Sequence, residues 1–74
     1  MNIAELKKRN IGILGFGVEG KSTLAFLKKQ GITTLTIFDK VQPELNDSSV
    51  TLMCGPDYLS SLGQCDVVFR SAGI

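Results

Sequence analysis

Four short apolar runs, each bounded by polar residues or glycine, punctuate the chain at Ile11–Leu14, Leu35–Phe38, Val50–Met53 and Asp66–Arg70. Runs of this length with β-branched and aromatic content predict strands. Between the first two, Gly20, Thr23, Leu24, Leu27 and Gly31 recur at i, i+3, i+4, i+7 and i+11, which predicts a helix from about Val18 to Gln30, stopped by Gly31. That spacing turns Lys21, Lys28 and Lys29 outward. Met1–Lys8 reads as a short amphipathic lead-in with Ile3 and Leu6 on one side, and the basic cluster Lys7-Lys8-Arg9-Asn10 as a solvated approach to the first strand. Gln42–Ser49 is a polar connection without helical periodicity. Gly55-Pro56-Asp57 predicts a turn that opens a short helix, Tyr58–Leu62, with Leu59 and Leu62 inward and Gly63-Gln64 as its stop. The unbroken apolar centre of the fourth strand suits a strand covered on both faces.

Strands connected in this way favour right-handed crossovers. The expectation is therefore an α/β, Rossmann-like three-layer domain with a mostly parallel sheet in the order 3-2-1-4, incomplete at the C-terminus. The topological switch point then falls between strands one and four, which brings Ser71-Ala72-Gly73 out beside the turn after strand one.

That turn is the most informative stretch. Gly15-Phe16-Gly17-Val18-Glu19-Gly20 follows an apolar strand and opens a helix, the order a phosphate-binding turn needs. Gly15 allows the tight turn, Gly17 lets the backbone approach a pyrophosphate, and Gly20 lets the helix lie close on the strand. The helix dipole and first-turn amides would then hold the anion. Gly15, Gly20, Lys21 and Ser22 also satisfy the G-x-x-x-x-G-K-[ST] pattern of a P-loop. Asp39 favours the first reading: it closes the second strand 19 residues after Gly20, near the roughly 20-residue spacing of the acid in a mononucleotide-binding βαβ unit.

Composition narrows the classes. With 74 residues, 43% hydrophobic content and mean hydropathy of +0.19, the chain makes one small domain or part of one. A net charge of +1 supplies no field for nucleic acid or anionic lipid. No apolar run approaches the ~20 residues of a membrane span, and Met1-Asn2-Ile3-Ala4-Glu5-Leu6 lacks the order of a signal peptide, so a cytoplasmic location is expected. Histidine is absent, which removes Ser-His and Cys-His nucleophilic chemistry, and Cys54 and Cys65 read as reduced structural thiols rather than metal ligands.

Three segments together resemble the N-terminal domain of the Mur ligase family, most of all its D-glutamate-adding branch. They are Ile11 to Ser22, the strand-end Asp39, and Cys65-Asp66-Val67-Val68-Phe69-Arg70-Ser71-Ala72-Gly73-Ile74. The resemblance implies that residues 1–74 form most of a UDP-binding Rossmann-like domain, which takes the uridine diphosphate part of UDP-N-acetylmuramoyl-L-alanine. It places ATP, magnesium and D-glutamate in central and C-terminal domains absent from this chain, and the parent's role in peptidoglycan synthesis, and so in cell shape and division. It further implies that Gly15, Gly17, Val18, Glu19 and Gly20 line the diphosphate, that Asp39 and Lys40 border the uracil, and that Ser71 and Gly73 close the other side. Ala72 stands where the family carries proline, and Glu19 puts an acid beside the pyrophosphate, which costs binding unless it points away or pairs with a cation such as Lys21. No catalytic residue and no cofactor is implied for this chain alone. Two other readings stay open: an NAD(P)-binding domain, with Asp39 accepting a ribose 2′-hydroxyl or Lys40 facing a 2′-phosphate, and a Rossmann-like interaction module that binds no nucleotide.

Overall fold

A computed structural model describes residues 3–70 of the chain. Its elements in order are α1 (Ile3–Leu6), β1 (Ile11–Leu14), α2 (Val18–Lys29), β2 (Leu35–Asp39), β3 (Val50–Cys54), a single 3-10 turn (Leu62–Gln64) and β4 (Val67–Arg70). The strands form one sheet in the order β3-β2-β1-β4, and every pair is parallel. The 3-2-1-4 order expected from the sequence is the order found.

Register explains the core. Val50, Leu35, Ile11 and Val67 stand in one cross-strand row and Leu52, Ile37, Ile13 and Phe69 in the next row on the same face. Leu24 and Leu27 of α2, with Leu6, Phe16 and Ile32, close over these rows. Ile13, Ile37 and Leu27 are almost wholly buried, each contributing about 1.5–3 kcal/mol of hydrophobic transfer. The helical spacing of Gly20, Leu24 and Leu27 is thus the face laid on the sheet. Gly31, with φ +82°, ends the helix: its N–H donates to the Lys28 carbonyl and that of Ile32 to the Leu27 carbonyl, a Schellman stop that also packs Ile32 beside Leu27.

The opposite face carries Thr51, Thr36, Gly12 and Val68 in one row and Met53, Phe38, Leu14 and Arg70 in the other. Here two expectations are corrected. Tyr58–Leu62 forms a string of turns rather than a helix, with only Leu62–Gln64 winding into a 3-10 turn, and Leu59 is exposed rather than inward. Gly55 at φ +93° and the following hydrogen bonds spanning three residues (Tyr58 N–H to the Gly55 carbonyl, Ser60 to Asp57, Leu62 to Leu59) curl the chain too tightly for an α-helix. The third layer is therefore this turn segment. It reaches the sheet through Cys65, whose thiol occupies the space that a side chain at Gly12 would need. β4 is also shorter than expected and alternates half-buried with exposed residues, leaving Val68 uncovered among the described residues. Asp66 precedes β4 as its clamp: its carboxylate accepts from the Asn10 N–H at 2.8 Å while its own N–H donates to the Asn10 carbonyl at 2.8 Å.

Both cysteines are free, with Cys54 at the end of β3 and Cys65 over β1. Burial, reinforced by the neighbouring Asp66 carboxylate, raises the Cys65 thiol above its ordinary pKa. No helix among the described residues is long and apolar enough to cross a membrane.

The β2–β3 connection has no helix and is held at two points. Leu45 packs against the core, and the Asp47 carboxylate accepts from the Lys28 ammonium and from the Ser49 N–H and hydroxyl. Lys28 faces outward as its spacing requires, and there it meets an acid. These bonds lower the Asp47 pKa from 3.8 to about 2, the Lys28 hydrogen bond first and those of Ser49 next. A carboxyl lowered on folding adds stability above its unfolded pKa and loses it as pH falls through the folded value. Urea midpoints of the parent and Asp47→Asn should therefore differ by a constant amount at neutral pH. The gap should close as pH falls from 3.8 toward about 2, and added salt should shrink it because the pair is exposed.

Candidate functional site

β1 ends at Leu14 and α2 starts at Val18, so only Gly15, Phe16 and Gly17 make the turn between them. Gly15 turns with φ +86°, a conformation that side chains resist. Its N–H donates to the Phe38 carbonyl at 2.8 Å, which carries the β1–β2 ladder one step past the strand. Phe16 drops its ring into the core. Gly17 is the N-cap of α2 with φ −83°, and no side chain caps the helix; the first backbone bond of the helix runs from the Lys21 N–H to the Gly17 carbonyl at 3.0 Å.

The three glycines are alike in the sequence and different in the fold. A Cβ on Gly20 would stand 2.3 Å from the Gly15 carbonyl oxygen, a contact no side chain survives. Gly15 is fixed by its positive φ. Gly17 has neither constraint: its φ is ordinary, and a Cβ there would meet no described atom within 4 Å. Nothing in the packing of the described residues calls for glycine at 17, and the open space lies at the amino end of α2, where first-turn amides lack intrahelical acceptors and the dipole favours an anion.

Asp39 ends β2 next to this turn. One carboxylate oxygen, Oδ2, accepts from the Phe16 N–H at 2.8 Å and the other, Oδ1, from the Val41 N–H at 3.2 Å. Lys40 and Val41 continue outward and are exposed, as are Val18 and Glu19 at the start of α2. Val18 is 83% and Val41 73% exposed, so two bare apolar side chains lie past the C-terminal ends of neighbouring strands. The Glu19 carbonyl accepts from the Thr23 hydroxyl at 2.9 Å. Lys21 and Ser22 lie within α2 and are exposed. The structure thus brings Gly15, Gly17, Val18, Glu19, Gly20, Asp39 and Lys40 to one edge of the sheet. Ser71 and Gly73 lie outside the described residues. Arg70, opposite Leu14 in the β1–β4 register, is one step from the switch point; the sequence predicts only strand there, although the end of a strand adjoining the glycine turn is a usable signal. The Phe16 amide was missed for lack of any signal, because its partner lies 23 residues away in the chain.

A separate cavity of about 220 Å³ opens on the other face, between the sheet and the turn segment, against Thr36, Phe38, Met53, Ser61 and Cys65. It is lined without charge and does not include the glycine turn.

The chain is 32% identical over 74 residues to a UDP-N-acetylmuramoylalanine--D-glutamate ligase of Clostridium kluyveri, an alignment that covers 89% of this chain and 16% of that protein. Ligases of the same name from Ruminiclostridium cellulolyticum and Clostridium botulinum are each 31% identical, covering 95% and 89% of this chain and 17% and 16% of their own lengths. The chain therefore spans about one sixth of the curated relatives it matches. No family model and no solved structure matches it.

The unequal roles of the glycines are open to test. Gly20→Ala should destabilise the chain by about 3 kcal/mol or more, since neither backbone can yield. Gly17→Ala should cost less than about 1 kcal/mol. Denaturant melts of the two variants against the parent check both values, and equal losses would contradict the geometry.

Proposed function

We propose that this chain, similar over nine-tenths of its length to D-glutamate ligases of peptidoglycan synthesis, binds the uridine diphosphate part of UDP-N-acetylmuramoyl-L-alanine. In this reading it is the nucleotide-holding module of a cytoplasmic, ATP-dependent ligase. The observation that carries the reading is that likeness, to proteins whose name specifies a UDP-linked muramoylalanine. The open backbone at Gly17 supports the place: a diphosphate there accepts from the amides at the amino end of α2, and the helix dipole contributes about 0.3–1 kcal/mol. Val18 and Glu19 lie along the diphosphate, and Asp39 and Lys40 border the uracil.

One feature weighs against a P-loop. A P-loop wraps its phosphates with the residues between its glycines, whereas here three residues make the turn and both Gly20 and Lys21 are already helical. In an NAD site the Asp39 carboxylate would take a ribose hydroxyl on the lone pairs left beside the Phe16 and Val41 N–H groups, so titration separates that reading.

This chain's part is to bind and orient. The remainder of the ligase would use ATP and magnesium to phosphorylate the alanyl carboxylate; the D-glutamate amine then attacks the acyl phosphate, an amide forms and phosphate leaves. With the nucleotide end fixed on the sheet edge, the muramoyl-alanine end is delivered outward to that chemistry, and the chain alone turns nothing over.

Titration of the isotope-labelled chain with UDP should move the amide signals of Gly17, Val18 and Glu19. NAD and ATP should bind at least about tenfold more weakly, a difference of ~1.4 kcal/mol. Tighter binding of NAD, with its largest shifts around Asp39, would sink the assignment.

A further inference from the structure

The Asp39 carboxylate occupies an odd position for a group beside an anion site, because a second negative charge there repels the ligand. We propose that Asp39, besides bordering the uracil, is a positioning residue that shapes the glycine turn through the Phe16 amide. The proposal rests on the reading of the turn as a diphosphate site.

Successive amides on one side meet successive residues on the other. The Gly15 N–H donates to the Phe38 carbonyl and the Phe16 N–H to the Asp39 carboxylate, both at 2.8 Å. The first bond is ordinary ladder geometry. The second replaces a backbone acceptor with a side chain and continues the ladder where the chain has already turned away from the strand direction. Oδ1 of the same carboxylate accepts the Val41 N–H, so one side chain ties the exit of β1 to the exit of β2.

Phe16 is held from two directions as a result. Its ring is buried in the core against α2, and its N–H is drawn toward β2. With that amide committed inward, the backbone after it, beginning at Gly17, is presented to the outside at the helix end. Without the carboxylate, the part-buried Phe16 N–H has no acceptor and the turn must rotate to find one. Such a rotation would move Gly17 and the amides after it.

What the Phe16 N–H requires is an oxygen acceptor, which a neutral amide also supplies. Asp39→Asn keeps one oxygen for the Phe16 N–H, gives up the acceptor for the Val41 N–H and removes the repulsion; Asp39→Ala keeps neither oxygen nor the charge. In hydrogen-exchange measurements on the 74-residue chain, Asp39→Ala should speed exchange at Phe16 by at least about tenfold while Ile11–Leu14 stay protected. It should also weaken UDP binding by at least about tenfold. Asp39→Asn should remain within about threefold of the parent on both readouts.

Unchanged exchange at Phe16 in Asp39→Ala would overturn the proposal. So would an Asp39→Asn variant that protects Phe16 yet loses UDP as fully as alanine does, since the charge would then act on the ligand. If Asp39→Ala also loses the β1 amides, Asp39→Asn with β1 intact must still protect Phe16 and bind UDP, or the idea fails. Failure of the parent to bind UDP would defeat the functional reading alone, because Phe16 exchange decides the link between Asp39 and the turn without any ligand.

Discussion

The close approach of α2 to the end of β1 is the contact on which the rest of this structure depends. A side chain at Gly20 would fall within 2.3 Å of the Gly15 carbonyl oxygen, so the helix can lie on the strand only as bare backbone. That contact holds the turn to three residues and aims the amino end of α2 over the C-terminal edge of the sheet. It also sets Leu24 and Leu27, one and two turns further on, against Ile13 and Ile37. Core and site are thus two consequences of one backbone contact.

Three of the acids, Asp39, Asp66 and Asp47, do structural jobs. Asp39 accepts two backbone amides past the ends of β1 and β2, and Asp66 plays the corresponding part at the other end of the sheet by joining Asn10 to the start of β4. Asp47 fastens a helix-free crossover to α2 through Lys28. In a chain of 74 residues, where little surface can be buried, carboxylates that accept backbone N–H groups do work that longer helices and connections do elsewhere. Charge-assisted bonds of this kind are stronger than neutral ones.

The two faces of the sheet are covered unequally, and the cause lies in the rows of side chains. One face presents eight apolar residues in two rows and attracts the amphipathic helix. The other mixes threonine, glycine and arginine with Phe38 and Met53, and takes the turn segment through Cys65. Gly12 makes that contact possible by leaving room for the thiol.

The sequence by itself determined the four strands, α2, the parallel order and the place of the glycine turn. These follow from local apolar runs, helical spacing and connection length, all readable within short windows. It did not determine the segment after Gly55, where Leu59 and Leu62 have helical spacing but hydrogen bonds to the third residue back curl the chain into turns. The separate reasons for glycine at 15 and 20 were legible in the motif spacing, and the structure gives them physical form: a positive φ at Gly15 and a carbonyl across the turn from Gly20, with open space at Gly17 on the helix end. The spacing of Asp39 marked it as part of a site, but only the tertiary structure gave it the Phe16 amide as a partner, 23 residues away. A hydrogen bond across that distance in the chain leaves no periodic trace, and only the pairing of β1 with β2 brings its two ends together.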